Sequence, residues 1–427
     1  MYNLFVFLVL LTLSAWVAVR LKNRYPATRM VIFNRIMFMH LVMLVAYYGY
    51  ATFNRSDSHH YYDKVVNFFR GPSWMDFYGV STTFVEFIGF PFVHFFGFSY
   101  EAMMMLFSWF GLLGFFFFYV FISERIYHFP KVFGFDFVSL IMILPNLHFW
   151  SSSFGKGSII FLGFGLYFFS LNKIQSRWPA ALLGAIIIYH VRPHILFVVL
   201  AATALGFFFS SRGVSFLARM FVVMLTIGAL LYIREDVLAL TGIDDENVFQ
   251  DVSTLDHRAY ELSKTGSGVD LTSYSFPMKM FTFIFRPLFI DAPGILGLLV
   301  SVENLFYLIM VIRILKSGFV GFFRRSDYTV KAALLSFLGI AAALAQVCGN
   351  LGIAMRQKSQ VMILLMFVIL KYMDDQLAMY ASSDVQIEGG ESRGDNSLRQ
   401  FPKRGSGLRQ RKLSEEIIPI QNESFGR

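Results

Sequence analysis

Runs of about 18 or more predominantly apolar residues recur along this chain, each long enough to cross a bilayer, with short polar connections between most of them. A backbone in hydrocarbon must satisfy its own hydrogen bonds, so runs of this kind mean helices. They fall at residues 2–19, 31–51, 100–122, 134–150, 157–171, 179–191, 193–209, 221–233, 294–315, 332–347 and 359–372, the shorter ones being broken by polar or proline positions. The expected fold is an all-α polytopic membrane protein of about eleven transmembrane helices plus re-entrant or interfacial segments. The composition agrees: 56% of the 427 residues are hydrophobic and 52 are Phe, which excludes an ordinary soluble domain.

The net charge of +9 would suggest nucleic acid in a soluble protein. Here the cations mark orientation, and no nucleic-acid partner is read. Arg20, Lys22, Arg24 and Arg29 follow the first run instead of preceding it, unlike a cleaved signal peptide, so it reads as an anchor entering from outside. Alternation then places Arg125, Lys131, Lys173, Arg177, Arg212, Arg219, Lys316, Arg324, Arg325 and Lys331 on the cytoplasmic side, as the positive-inside rule requires. The segment 79–98 holds Glu86, Pro91 and His94 and is taken as re-entrant or interfacial. Residues 1–373 form the transmembrane domain in this reading, with outer loops 53–78 and 234–279 as functional segments. Residues 374–427 form a disordered basic cytoplasmic tail, and the localisation is a bacterial inner membrane, N-terminus outside and C-terminus inside.

Cations left on the outer side stand out. Arg192 lies between two short apolar segments, Arg286 precedes Pro287 inside an apolar run, Arg356 precedes the last span, and Lys156 sits in a short turn. A cation at membrane depth is costly unless it binds something, and guanidinium groups bind phosphate oxygens bidentately. Together Arg192, Arg286, Arg356 and Lys156 suit a lipid-linked pyrophosphate.

The outer loop Phe53-Asn54-Arg55-Ser56-Asp57-Ser58-His59-His60-Tyr61-Tyr62-Asp63-Lys64 supplies candidate bases. Sugar transfer needs a carboxylate to take a proton from an acceptor hydroxyl, and Asp57 and Asp63 are the candidates, with Asp57 preferred. His59, His60, His190, His194 and Glu86 are supporting residues. No metal site is assigned and no cofactor is called for, although a divalent metal is compatible with these carboxylates. The lone Cys348 excludes an internal disulfide. Gly155-Lys156-Gly157-Ser158 lacks the spacing of a nucleotide-binding loop, and the acids between 244 and 256 lack that of an EF-hand.

Asp57…Tyr61-Tyr62 after an early span resembles the first outer loop of bacterial multi-span glycosyltransferases of the GT-C type and of related polysaccharide polymerases. Pro145…Phe149-Trp150-Ser151-Ser152…Gly155-Lys156, Arg192-Pro193-His194, Phe285-Arg286-Pro287 with Glu303-Asn304, and Asn350-Leu351-Gly352…Arg356 are similar to patterns in exopolysaccharide and O-antigen polymerase-like proteins. The resemblance implies that Asp57 is the base and that Arg192, Arg286 and Arg356 hold a lipid pyrophosphate. It implies a polyprenyl-(pyro)phosphate-linked glycan donor, a glycan or lipid acceptor, and contacts with membrane lipids and other polysaccharide-assembly proteins. The alternative is a transporter or flippase for a lipid-linked glycan or other anion, using the same arginines only to bind.

Overall fold

A computed structural model describes residues 1–210, 215–241, 259–264, 266–271 and 273–391. The apolar runs become helices. In chain order these are α1 (Tyr2–Arg24), α2 (Met30–Phe53), α3 (Asp57–Val66), α4 (Thr82–His94) and α5 (Tyr100–Ser123). Next come α6 (Phe137–Met142), α7 (Pro145–Ser151), α8 (Lys156–Leu171), α9 (Ile174–Val191), α10 (Pro193–Phe208) and α11 (Phe216–Thr241). The rest are α12 (Phe276–Phe285), α13 (Gly294–Leu315), α14 (Phe319–Arg325), α15 (Tyr328–Val347), α16 (Leu351–Lys358) and α17 (Met362–Glu391).

Five of these, α1, α2, α5, α13 and α15, are long and apolar enough to cross a membrane. The pair α16 and α17, bent by 54° at its break, makes a sixth if taken as one span. The remaining apolar helices are shorter. At 13 residues α4 is about 20 Å long, less than the hydrocarbon thickness, and its polar positions Glu86 and His94 are both held by protein partners.

Three expectations are corrected. Residues 134–150 are not one continuous helix: Phe133 and Gly134 both take positive φ in a tight hairpin between the strand pair β1 (Lys131–Val132) and β2 (Phe135–Asp136), and Pro145 starts a second short helix after α6. The loop 53–78 is largely helical, because Ser56 caps α3 by accepting the Ser58 N–H (3.3 Å) and a 3-10 turn follows at Trp74–Phe77. The tail expected from 374 starts as helix, since α17 continues to Glu391; residues 392–427 lie outside the described residues, as do Arg212 and the acids at 244–256.

The core is packed Phe and aliphatic side chains on α5, α8 and α17, where Phe115, Phe116, Phe121, Phe161, Phe168 and Met362–Leu370 are nearly all buried. Helices apolar on every face belong inside a bundle or a membrane. Backbones approach closely where α8 meets its neighbours. A Cβ on Gly165 would lie 2.6 Å from the Gly114 carbonyl oxygen of α5, and one on Gly184 of α9 would lie 2.7 Å from that of Gly163. Outside this core, α1 and α13 leave Leu4, Phe5, Leu8, Leu299 and Val302 exposed, an apolar girdle suited to lipid.

The polar helix ends collect at two opposite ends of the bundle. One end gathers Tyr2, Asn3, Glu101, Asp57, Lys156 and Arg356; the other gathers Arg29, Glu124, Asn172, Arg177 and Asp327.

Candidate functional site

At the first of these ends a chain of hydroxyls fixes α3 against two long helices. Tyr47 of α2 bonds Ser56 (2.9 Å), Ser56 bonds Ser58 (2.7 Å), and Ser58 bonds Tyr100 of α5 (2.8 Å). His59 stacks on Tyr100 with ring centroids 4.2 Å apart and meets the Ala51 carbonyl at 3.2 Å. These contacts place Asp57, the first residue of α3, where its carboxylate ion-pairs with Arg356 of α16. The Arg356 guanidinium also lies 5.8 Å from the centre of the Trp150 ring, at the end of α7.

Two more cations join from other elements. Lys156 opens α8 and donates to the Ser81 hydroxyl (2.8 Å), and Arg192 is the single residue between α9 and α10. Ser81 is itself held by its N–H to the His190 carbonyl and takes φ 67°, a conformation costly for a side-chain-bearing residue. Burial, then Arg192 and Arg356, push the Lys156 ammonium down to about 8, and burial with Arg356 pushes Arg192 down to about 10. Burial pushes the Tyr61 phenol up, with Arg356 opposing. Three cations thus act on one another electrostatically. Among the described residues Asp57 is the carboxylate ion-paired with any of them, and neither Lys156 nor Arg192 has such a partner. Lys156, Arg192, Arg356 and Asp57 thus sum to three positive minus one negative, a surplus of two, and Glu86, which also acts on Lys156, is already matched by Arg70 and Lys64.

Two polar atoms near it have no hydrogen-bond partner among the described residues: Trp150 Nε1 and His194 Nδ1, the latter close enough to feel both Arg192 and Lys156. A buried indole N–H can only donate, so with the cations it suits an anion's oxygens. Ser267 and Val269, from the segment between α11 and α12, bond to the start of α16 and the residues before it (Leu351 N–H to the Ser267 carbonyl, 2.9 Å; Val269 N–H to the Gly349 carbonyl, 2.8 Å).

Of the sequence candidates, Asp57, Lys156, Arg192, Arg356 and His194 come together. Arg286 does not join them: its guanidinium pairs with Asp291, five residues on, while its carbonyl accepts from Lys358 Nζ (2.6 Å). Asp63 and His60 are exposed on α3. Glu86 is buried and paired with Arg70 and Lys64, so it braces α4. His190 bridges the Ile186 carbonyl (2.9 Å) and the Tyr78 hydroxyl (3.1 Å) and stacks on Phe84, which makes it a brace as well.

Sequence reasoning missed Ser81 and the free Trp150 N–H. It also missed a buried network below the site, in which Glu303 accepts from Asn146 N–H (2.7 Å) and Tyr307 (3.0 Å), and Lys358 donates to Asn304 (2.7 Å). The signal for that network was present, because Glu303 interrupts the long apolar run of α13. Compared with known families, curated proteins and solved structures, the chain matches none of them.

Proposed function

We propose that this chain is a polytopic membrane glycosyltransferase or polysaccharide polymerase that takes a sugar or glycan repeat from a polyprenyl-(pyro)phosphate-linked donor on the outer face of a bacterial inner membrane. The observation that carries this reading is the surplus of two positive charges at Lys156, Arg192 and Arg356, beside one carboxylate and an unpartnered indole N–H. A pyrophosphate diester carries two negative charges, and its leaving group gains a third as the glycosidic bond breaks. Cations fixed in advance are worth most where charge develops.

In the reaction, an acceptor hydroxyl attacks the sugar's anomeric carbon while the carbon–oxygen bond to phosphate breaks. Asp57 takes the hydroxyl proton, and the pyrophosphate leaves with the bonding pair. One displacement inverts the anomeric centre without a covalent intermediate.

The topology belonging to this reading has about eleven crossings, with the broken α6–α7 unit and the bent α16–α17 unit each counted once. The N-terminus is outside and α17 leads to the cytoplasm. The end bearing Arg29, Arg125, Lys173 and Arg177 faces inward, as the positive-inside rule asks.

Mass spectrometry of lipids retained by the purified protein tests the proposal, comparing wild type with Arg192→Ala and Asp57→Ala. The expected result is a polyprenyl-(pyro)phosphate glycan that Arg192→Ala loses and Asp57→Ala keeps. Bulk phospholipid alone in all three overturns the donor site; an Asp57→Ala protein that still transfers sugar removes Asp57 as the base, and a wild type that moves the retained lipid across a bilayer without transferring its sugar overturns the enzyme in favour of a transporter.

A further inference from the structure

Two histidines that neither the candidate site nor the proposed reaction uses meet inside the bundle. His40 lies near the middle of α2 and His148 within α7, at 2% and 0% exposure. Their Nδ1 atoms are 2.9 Å apart. His40 Nε2 faces the Ser108 carbonyl at 2.8 Å, and His148 Nε2 faces the Met142 carbonyl, also at 2.8 Å. A carbonyl can only accept, so each Nε2 must carry a hydrogen. The contact between the two Nδ1 atoms needs a third. Three hydrogen bonds therefore require three protons, whereas two neutral imidazoles bring only two. Without the third, two lone pairs would oppose each other at hydrogen-bonding distance.

We infer that His40 and His148 form a buried proton-binding site, one proton shared between their Nδ1 atoms and one positive charge held between α2 and α7. The surroundings suit that charge. Phe115 stacks on His148 with centroids 3.7 Å apart and planes within 3°, and presents itself to His40 at 5.7 Å, so a ring face lies against the imidazolium. Among the described residues neither histidine bonds a carboxylate: Glu303 of α13, which packs on α7, accepts instead from the Asn146 N–H, two residues before His148, and from Tyr307. α1 brings Ser14 and Leu10, α5 brings Ser108, Trp109, Leu112 and Phe115, and α6 brings the Met142 carbonyl. The nearest charge on these elements, Arg35 of α2, lies more than a turn away along the helix and donates to Ser139 of α6 (2.8 Å).

Access for the proton is present too. A cavity of about 50 Å³ between α1, α2 and α5 is lined by His40, Ser14, Ser108 and Trp109, large enough for water. The indole N–H of Trp109 has no partner among the described residues.

The pair is independent of the outer site's chemistry but stands directly behind its wall. His148 precedes Trp150 by two residues, and Tyr47, two turns beyond His40 on α2, packs on Phe149 and Trp150 with centroids 5.0 and 6.0 Å apart. Holding the proton clamps α2 to α7 at that wall.

Ring-nitrogen solid-state NMR of full-length, [15N]histidine-labelled protein in lipid nanodiscs tests this at pH 7. The expected spectrum has an Nδ1-to-Nδ1 correlation linking one protonated and one bare nitrogen, with three of the pair's four nitrogens protonated. His40→Gln and His148→Gln should each abolish it. Should those variants fail to fold, the wild-type correlation still decides. Two bare nitrogens among the four, or no correlation between Nδ1 atoms, overturns the inference.

Discussion

The guanidinium of Arg356 is bonded to the carboxylate of Asp57, 299 residues earlier in the chain. The side chains are 27% and 53% exposed, so this pair adds at most about 1 kcal/mol to stability. It also ties up the proposed base until something else engages the arginine. A bound pyrophosphate would draw Arg356 to its oxygens and free Asp57 for the acceptor. Arg356→Ala should therefore abolish retention of the lipid donor while leaving the unfolding midpoint nearly unchanged, as paired lipid mass spectrometry and thermal unfolding would report. Arg356→Lys, which keeps charge but loses the fork, should retain an intermediate amount. Undiminished retention in Arg356→Ala would remove this residue from the donor site.

Lys156 sets the pH dependence. Its ammonium, not its amine, binds the anion, and burial, helped by the nearby Arg192 and Arg356, brings its pKa to about 8. Donor affinity should be level below pH 8 and fall above it, at first by about tenfold per pH unit as a proton must be taken up on binding. Fold stability runs the other way. The folded pKa lies below the ordinary 10.5, so between about 8 and 10.5 the unfolded chain holds more protons and stability rises with pH. A binding titration in nanodiscs should show the decline in wild type, while Lys156→Arg should stay level beyond pH 9.

At the opposite end, Arg177 grips Glu124 with two hydrogen bonds of 2.7 Å each, their side chains only 9% and 15% exposed. Burial alone would raise the Glu124 carboxyl, but the bonds from Arg177 and Asn172 outweigh it and hold it below the usual value. That stabilisation is present above the ordinary carboxylate pKa and is lost as pH falls through the folded one. Arg177→Ala strands the carboxylate and should cost about 3 kcal/mol. Adding Glu124→Gln should recover part of that loss, and a double-mutant cycle in thermal unfolding would measure it.

Much of the site was legible one residue at a time. Asp57, Lys156, Arg192 and Arg356 each stand at the edge of an apolar run, where a charge announces itself by cost. Their convergence was not legible, since no periodicity links positions 57 and 356. Arg286 looked equivalent by the same test, yet Asp291 lies five residues away and neutralises it. His40 and His148 each interrupt an apolar stretch, but a lone imidazole in a helix says nothing of a partner 108 residues off. The helical fold was readable from hydrophobic runs alone. The hairpin at Phe133–Gly134 was not, because Gly134 stands at the edge of an apolar run and reads equally well as its first residue.

Helix spacing at the centre of the bundle rests on missing side chains. At Gly184 an added Cβ would meet the Gly163 carbonyl oxygen at 2.7 Å and the Tyr167 nitrogen at 2.8 Å, both backbone atoms that cannot rotate away. Gly184→Ala must push α9 off α8 and should cost about 1–3 kcal/mol. Gly228, on α11, has open space where its Cβ would go. There the substitution to Ala only removes unfolded-state freedom and should raise stability by up to about 1 kcal/mol. Opposite shifts of the unfolding midpoint in these two variants would establish that α8 and α9 pack backbone to backbone. The displacement should also reach Arg192, which closes α9, so donor retention in Gly184→Ala should fall although the residue touches no part of the site.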